Sequence, residues 1–116
     1  EQIAIIKKDF NSITAENDMK PQPTEPAYGQ FNWDNADKIA DFCRSNGIKL
    51  RGHCLMWHAQ IGEWMYKDEK GNLVSKEKLF QNMKHHITAI VGCHCFKSLC
   101  KTFTKLVKMN YLSWNI

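Results

Sequence analysis

The chain has 116 residues, 43% of them hydrophobic and 24% charged, which is typical of a globular domain and excludes an intrinsically disordered chain. No apolar run reaches the ~18 to 20 residues needed to cross a bilayer, so we predict no membrane partner. All 12 Asp and Glu lie in residues 1–91 with 12 of the 16 Lys and Arg, so the net charge of +4 comes from residues 92–116. This break in composition predicts a domain boundary between residues 91 and 92.

The first third of the chain predicts a helix, a short strand and a loop. Residues 2–8 have the spacing of the last turns of a helix that ends in Lys7 and Lys8. Residues 10–15 predict a strand because apolar and β-branched side chains recur there. Prolines at positions 21, 23 and 26 then predict an irregular loop.

A helix and a second strand follow the loop. The helix is expected to bury Ala36, Ile39, Ala40, Phe42 and Cys43 and to end at Asn46-Gly47. The second strand is expected to run from Lys49 toward Gln60. Strand, helix and strand in succession predict a βαβ unit with two parallel strands.

A further helix is expected to begin after Ser75, with an apolar stripe formed by Leu79, Phe80, Met83, Ile87, Ile90 and Val91. His85 and His86 are expected on its exposed polar face. Residues 92–116 also have helical spacing, with lysines beside an apolar stripe. The sequence therefore predicts a basic amphipathic tail, although four lysines indicate a solvated face rather than a nucleic-acid partner.

Residue types unusual for a core strand follow both predicted strands. The carboxyl ends of neighbouring parallel strands lie at one edge of a sheet, so these side chains are expected to share one space. Carboxylates and amides hydrogen-bond hydroxyl groups, and an indole covers the apolar face of a sugar ring. The pattern predicts a sugar-binding site formed by Glu16, Asn17, Lys20, His53, Trp57 and Gln60.

Two competing interpretations apply to single members of this set. His53 and Trp57 are also compatible with a buried strand in which both are satisfied core residues. Glu16 and Lys20 are compatible with a local ion pair on a loop, which contributes less than ~1 kcal/mol.

Three segments carry a resemblance to a known family. They read F-N-S-I-T-A-E-N-D-M-K-P over residues 10–21, G-Q-F-N-W-D-N-A-D-K-I-A-D-F-C-R-S-N-G over residues 29–47, and L-R-G-H-C-L-M-W-H-A-Q over residues 50–60. In order and spacing, these motifs resemble glycoside hydrolase family 10, the endo-1,4-β-xylanases. The resemblance covers about residues 1–91.

The resemblance implies a partial (β/α)₈ TIM barrel of the α/β class, namely the first two or three βα units, followed by a divergent helical tail. It implies that Glu16, Asn17 and Lys20 end the second barrel strand and that His53, Trp57 and Gln60 end the third. In the family, residues at these positions line the glycone subsites and contact xylose hydroxyls. Xylan or a xylo-oligosaccharide is therefore the expected partner, and secretion is the expected localisation.

The chain also departs from the family pattern. Cys54 stands where the family usually has Thr. The W-D-V-V-N-E motif with the catalytic acid/base is expected shortly after Val91, but the sequence there is G-C-H-C-F-K-S-L-C-K-T-F, and no Asp or Glu follows Glu77. We therefore predict no catalytic residue in this chain, and expect either a xylanase-like hydrolase fragment or a non-catalytic xylan-binding fragment.

The remaining acidic and metal-ligating residues predict no further site. Glu25, Glu63, Asp68, Glu69 and Glu77 are expected in solvated loops or at a helix start. Cys93, Cys95 and Cys100 lack the spacing of a structural zinc site, and the five cysteines in total do not form a disulfide framework. No metal, no cofactor and no secretory signal is predicted.

An incomplete barrel leaves strand edges open, which predicts self-association through those edges.

A third hypothesis for the function is that the chain acts as a basic helical interaction module through its tail.

Overall fold

Two short parallel strands lie at the centre of the fold. The computed structural model describes residues 1–92, so the predicted tail beyond them lies outside the described residues. In chain order the elements are α1 (Gln2–Asp9), β1 (Ser12–Thr14), α2 (Pro21–Thr24), α3 (Asp34–Ser45), β2 (Lys49–Arg51), a 3₁₀ turn (Glu63–Met65) and α4 (Lys76–Gly92). None of these helices is long and apolar enough to span a membrane.

The strand pairing confirms the predicted parallel βαβ unit. Ile13 of β1 lies opposite Leu50 of β2, and both are half-buried. The second strand is shorter than predicted: it ends at Arg51, and the segment that follows is irregular. This segment contains a cis peptide bond between His53 and Cys54. His53 and Trp57 therefore lie in an irregular segment rather than on one face of a strand.

Helix α3 packs and ends as the sequence predicts. Its buried face consists of Ala36, Ala40 and Cys43. At its end Gly47 has a φ of +66°, and the N–H of Ile48 reaches the carbonyl of Cys43 at 2.9 Å. This pattern satisfies a carbonyl that the helix would otherwise leave unpaired.

The core beneath the strands is small. Ala15, Met19 and Ala36 are buried together, with Ile39 and Leu50 packed against them. Ala15 and Met19 belong to the segment that leaves β1, so apolar packing fixes both ends of that segment while its polar residues remain free to form a site.

The prediction of an irregular loop at the prolines is wrong in part. Residues Pro21–Thr24 form the one-turn helix α2, with Pro21 at its first position. Proline is tolerated there because the N–H groups of a first helical turn have no intrahelical partner to lose.

The predicted apolar stripe of α4 is also wrong in part. Its buried residues are Asn82, His86 and Ile90, whereas Phe80 is 50% exposed. The three buried residues are spaced by four and so lie on one helix face. That face is polar because the chain it packs against offers carbonyl and carboxylate oxygens as partners.

Candidate functional site

Four of the six predicted site residues lie together beyond the ends of β1 and β2. We call Asn17, Lys20, Trp57 and Gln60 the strand-end cluster. The Lys20 ammonium donates to Oδ1 of Asn17 at 2.8 Å and to Oε1 of Gln60. Gln60 in turn donates through Nε2 to Oδ1 of Asn17 at 3.3 Å. Two segments separated by about 40 positions in the chain are therefore joined, both through Lys20 and through the direct bond between Gln60 and Asn17.

The lysine also lies against the indole. Nζ of Lys20 is 4.7 Å from the centroid of the Trp57 ring, a distance at which the cation is attracted to the ring face. Lys20 is only 7% exposed, whereas Trp57 is 39% exposed. His58 meets the edge of the same indole at 5.2 Å. Trp57 is therefore held in place by its neighbours while much of its surface stays open, so it is not a sealed core residue.

The ammonium retains unused bonding capacity. Lysine has three N–H donors, and the acceptors that bond to Lys20 within residues 1–92 are two neutral amide oxygens. Among the ion pairs of residues 1–92, none joins Lys20 to Glu16. The competing interpretation of a local Glu16–Lys20 ion pair is therefore not what the structure shows.

Backbone contacts support the geometry of this cluster. The N–H of Lys20 donates to the carbonyl of Asn17 at 2.9 Å, and the N–H of Gln22 donates to the carbonyl of Gln60 at 2.9 Å. Gln60 has a φ of +51°, in the left-handed region that costs a non-glycine residue about 1 kcal/mol or more. This segment adopts that conformation while bonded to α2.

The other two predicted residues lie at the same strand ends without joining the cluster. Glu16 is exposed and His53 is half-buried. Neither side chain forms a hydrogen bond or ion pair with another residue of the described chain. Their polar atoms are therefore open to a ligand or to solvent.

Cys54, the departure from the family pattern, lies beside the cluster. Burial raises the pKa of its thiol, and the positive charge of Lys20 opposes that rise and lowers the pKa in part. The thiol is thus mostly protonated at neutral pH and acts as a small, weakly polar side chain.

A second group of polar residues lies inside the fold and was missed in the sequence. We call Glu25, His85 and His86 the buried carboxylate cluster. Glu25 is 0% exposed and His86 is 1% exposed. Oε1 of Glu25 lies 2.9 Å from Nε2 of His85, and Oε2 lies 2.7 Å from Nδ1 of His86. The prediction of a solvated Glu25 is therefore wrong, and the prediction of exposed histidines is wrong for His86 and wrong in part for His85, whose side chain is 30% exposed.

The physical reason is pairing. A carboxylate is buried only where donors replace its water, and here the N–H of Gly29 adds a third donor at 2.8 Å. Tyr28 stacks on the imidazole of His85 at 4.3 Å and shields it. The signal available in the sequence was the spacing of Asn82, His86 and Ile90, which places two polar residues on the face of an apolar one. No group of three or more His, Cys, Asp or Glu in residues 1–92 is arranged to hold a metal ion.

Comparison with known proteins gives the family. The model of Glycosyl hydrolase family 10 matches residues 1–101. The chain belongs to this family. The match confirms the resemblance seen in the three motifs, and it extends past the boundary predicted near residue 91, which remains a prediction.

Similar proteins of family 10 are xylanases. An endo-1,4-beta-xylanase/feruloyl esterase of Xylanibacter ruminicola is 53% identical over 91 residues, which is 78% of this chain and 12% of that protein. The solved structure of a psychrophilic family 10 endo-beta-1,4-xylanase is 68% identical with a TM-score of 0.78, and the match covers 84% of this chain and 29% of that one. An intracellular xylanase of Thermoanaerobacterium saccharolyticum, solved with xylotetraose, is 39% identical with a TM-score of 0.72, over 78% of this chain and 28% of that one.

These matches confirm a partial α/β barrel for the described residues. The chain spans less than a third of each of the two solved xylanases.

Proposed function

We propose that this chain supplies the glycone-side sugar contacts of an endo-1,4-β-xylanase. The observation that carries the proposal is Lys20, whose ammonium is fixed by two amides, lies over an exposed indole and keeps one N–H unused. Membership of family 10 and the relative solved with xylotetraose support the sugar class. The substrate would be the xylan backbone or a xylo-oligosaccharide.

Each residue of the site has a role that follows from its chemistry. The exposed indole of Trp57 would cover the apolar face of a xylose ring. The free N–H of Lys20 would donate to a xylose hydroxyl, and Asn17 and Gln60 would keep that donor aimed. Glu16 and His53, which have no partner within residues 1–92, would bond to further hydroxyls. The neutral hydroxyls of a sugar suit this mixture of donors and acceptors.

The architecture supports the same proposal. We place β1 and β2 as the second and third strands of a (β/α)₈ barrel, so that both strand ends open on the face where such barrels bind ligands. The parallel register of Ile13 with Leu50 and the TM-score of 0.78 to part of a solved family 10 xylanase support this placement. The open outer edges of the two strands would also allow copies of the chain to associate.

Turnover needs more than this site. Retaining hydrolysis uses two carboxyl groups about 5 to 5.5 Å apart on either side of the bond. The segment where the family has its acid/base contains no Asp or Glu, and none follows Glu77. We therefore propose that the 116-residue chain binds xylan without cleaving it.

Titration of the full chain with xylotetraose tests the proposal. Calorimetry should detect binding to the unmodified chain, and Trp57→Ala should weaken it by about tenfold, since stacking on an aromatic ring contributes about 1 kcal/mol or more. Phe80→Ala, which removes another exposed aromatic residue from α4, is the matched control and should leave the affinity unchanged.

Two further results separate the alternatives. Reducing-sugar release from xylan would identify an active hydrolase and overturn the non-catalytic assignment. Equal affinities for the unmodified chain and for Trp57→Ala would remove the sugar site and favour the basic interaction module.

A further inference from the structure

The buried carboxylate cluster ties α4 to the segment that follows β1. Ionised Glu25 can only accept hydrogen bonds, so His85 and His86 each donate through the ring nitrogen that faces it. Both carboxylate oxygens therefore accept hydrogen bonds, Oε2 from His86 and Oε1 from His85 and from the N–H of Gly29. A buried carboxylate with three donors cannot move without losing them, so the position of Glu25 is fixed relative to α4.

One helical turn connects Glu25 to Lys20. The N–H of Glu25 donates to the carbonyl of Pro21 at 2.8 Å, and Oγ1 of Thr24 donates to the carbonyl of Lys20 at 2.8 Å. Pro21 and Thr24 are both buried. Because α2 is a single hydrogen-bonded turn of four residues, we expect a shift of Glu25 to move the backbone of Lys20 as well.

The same turn supports Gln60. The N–H of Gln22 donates to the carbonyl of Gln60, whose left-handed backbone is unfavourable and therefore depends on such contacts. Lys20 and Gln60 are hydrogen-bonded to each other in the strand-end cluster. Both residues are therefore also attached to α2.

A second connection closes the loop around Glu25. Asn82 of α4 donates through Nδ2 to the carbonyls of Trp64 and Met65 at 3.3 and 3.0 Å. Nε1 of Trp64 donates to the backbone carbonyl of Glu25 at 2.9 Å. The polar face of α4 therefore contacts the chain just after each of the two segments that form the strand-end cluster.

We propose that Glu25, held by His85 and His86, is a positioning residue that sets the separation of Lys20 from Gln60 and so the sugar affinity of the strand-end cluster. The inference rests on the proposed function. Glu25 touches no sugar in this scheme and acts through α2. A cluster that only stabilised the fold would change the folded fraction and leave the affinity of folded molecules unchanged.

The test uses three variants of the full chain. His86→Leu keeps bulk and removes the donor to Glu25. His86→Asn replaces Nδ1 with an amide nitrogen on a similar reach, so it should restore the bond. Ile90→Ala, one turn further along the same buried face, removes packing without touching Glu25 and is the matched destabilised control.

Two readouts are followed on the folded fraction: the dissociation constant for xylotetraose and the hydrogen-exchange rate of the Gln22 amide. His86→Leu should weaken binding by about tenfold and speed exchange at Gln22 by a similar factor, and His86→Asn should recover most of both. Ile90→Ala should lower the thermal midpoint and leave the dissociation constant unchanged. Equal losses of affinity in His86→Leu and Ile90→Ala would overturn the proposal.

A fourth variant, His85→Phe, covers the case in which His86→Leu does not fold. His85→Phe keeps a ring stacked on Tyr28 at the partly exposed position and removes only the donor to Oε1 of Glu25. It should weaken binding by about threefold, and an unchanged affinity would count against the positioning role. If the unmodified chain binds no xylotetraose, the proposed function fails, whereas Gln22 exchange in His85→Phe still decides whether Glu25 positions the cluster.

Discussion

The strand-end cluster and the buried carboxylate cluster differ in how their charged group is bonded and exposed. Each surrounds one charged group that is largely withdrawn from water. Glu25 has donors on both oxygens and no exposed surface. Lys20 has two neutral acceptors, an indole beside it and one unused N–H.

This difference in bonding and exposure distinguishes a group with a structural role from a group that can bind a ligand. A polar group that is bonded through all its polar atoms and has no exposed surface cannot be reached by a ligand. A group that is held firmly but keeps a donor at an exposed aromatic surface is prepared to bind one. The two clusters are only one helical turn apart, so the buried carboxylate cluster can hold the strand-end cluster in place.

Removing the buried carboxylate should have the largest effect. Glu25→Ala leaves two imidazole donors and the N–H of Gly29 without their acceptor, and each buried donor left unpaired costs about 1 to 3 kcal/mol in the free energy of unfolding. Urea unfolding followed by circular dichroism measures this loss.

The matched control is Glu63→Ala. Glu63 pairs with Lys67 at 2.7 Å on an exposed part of the 3₁₀ turn, where an ion pair contributes less than about 1 kcal/mol. If both alanine variants lose the same stability, the buried bonds of Glu25 contribute no more to the fold than an exposed ion pair, and its role as a fixed anchor is wrong.

Removing the charge of the open cluster should have an intermediate effect, seen in binding. Lys20→Met keeps the aliphatic stem and loses the ammonium, so the dissociation constant for xylotetraose should rise about tenfold or more, since a hydrogen bond to a charged group contributes about 1.5 to 3 kcal/mol. Lys38→Met, at an exposed position of α3, is the control and should bind as the unmodified chain does. An unchanged dissociation constant in Lys20→Met would mean that its free N–H is not used for sugar.

The smallest effect should be seen at Cys54. Burial raises its thiol pKa and Lys20 lowers it in part, so loss of the lysine charge in Lys20→Met should move the pKa further up. Alkylation of Cys54, followed by peptide mass spectrometry across a pH series, should show its midpoint at higher pH in the variant. The midpoint reports the pKa independently of access to the thiol, and a midpoint that moves down would contradict the assigned charge effect.

Much of the fold was predictable because its signals are local. The burial of Ala36, Ala40 and Cys43 on α3 follows from helical spacing, and the end of that helix follows from Asn46-Gly47. The parallel pairing of β1 with β2 follows from the order strand, helix, strand. The four residues of the strand-end cluster were among the six predicted to meet, because their types are unusual at strand ends, but the sequence did not separate them from Glu16 and His53.

The partners within the cluster were not predictable, and neither was the buried carboxylate cluster. A charge pattern suggests Glu16 as the partner of Lys20, yet Lys20 bonds to Asn17 and Gln60. Glu25 and His86 are 61 positions apart, so nothing local to either residue indicates that they meet.

The sequence by itself determined the three longer helices, the parallel strands and the family, and it indicated which residues gather at the strand ends, since these depend on periodicity, turn residues and motifs that are local in the chain. The tertiary structure alone decided which polar groups are saturated and which remain free. A polar side chain is stable in the interior only where distant parts of the chain bring it a partner, and that is a property of packing rather than of residue type.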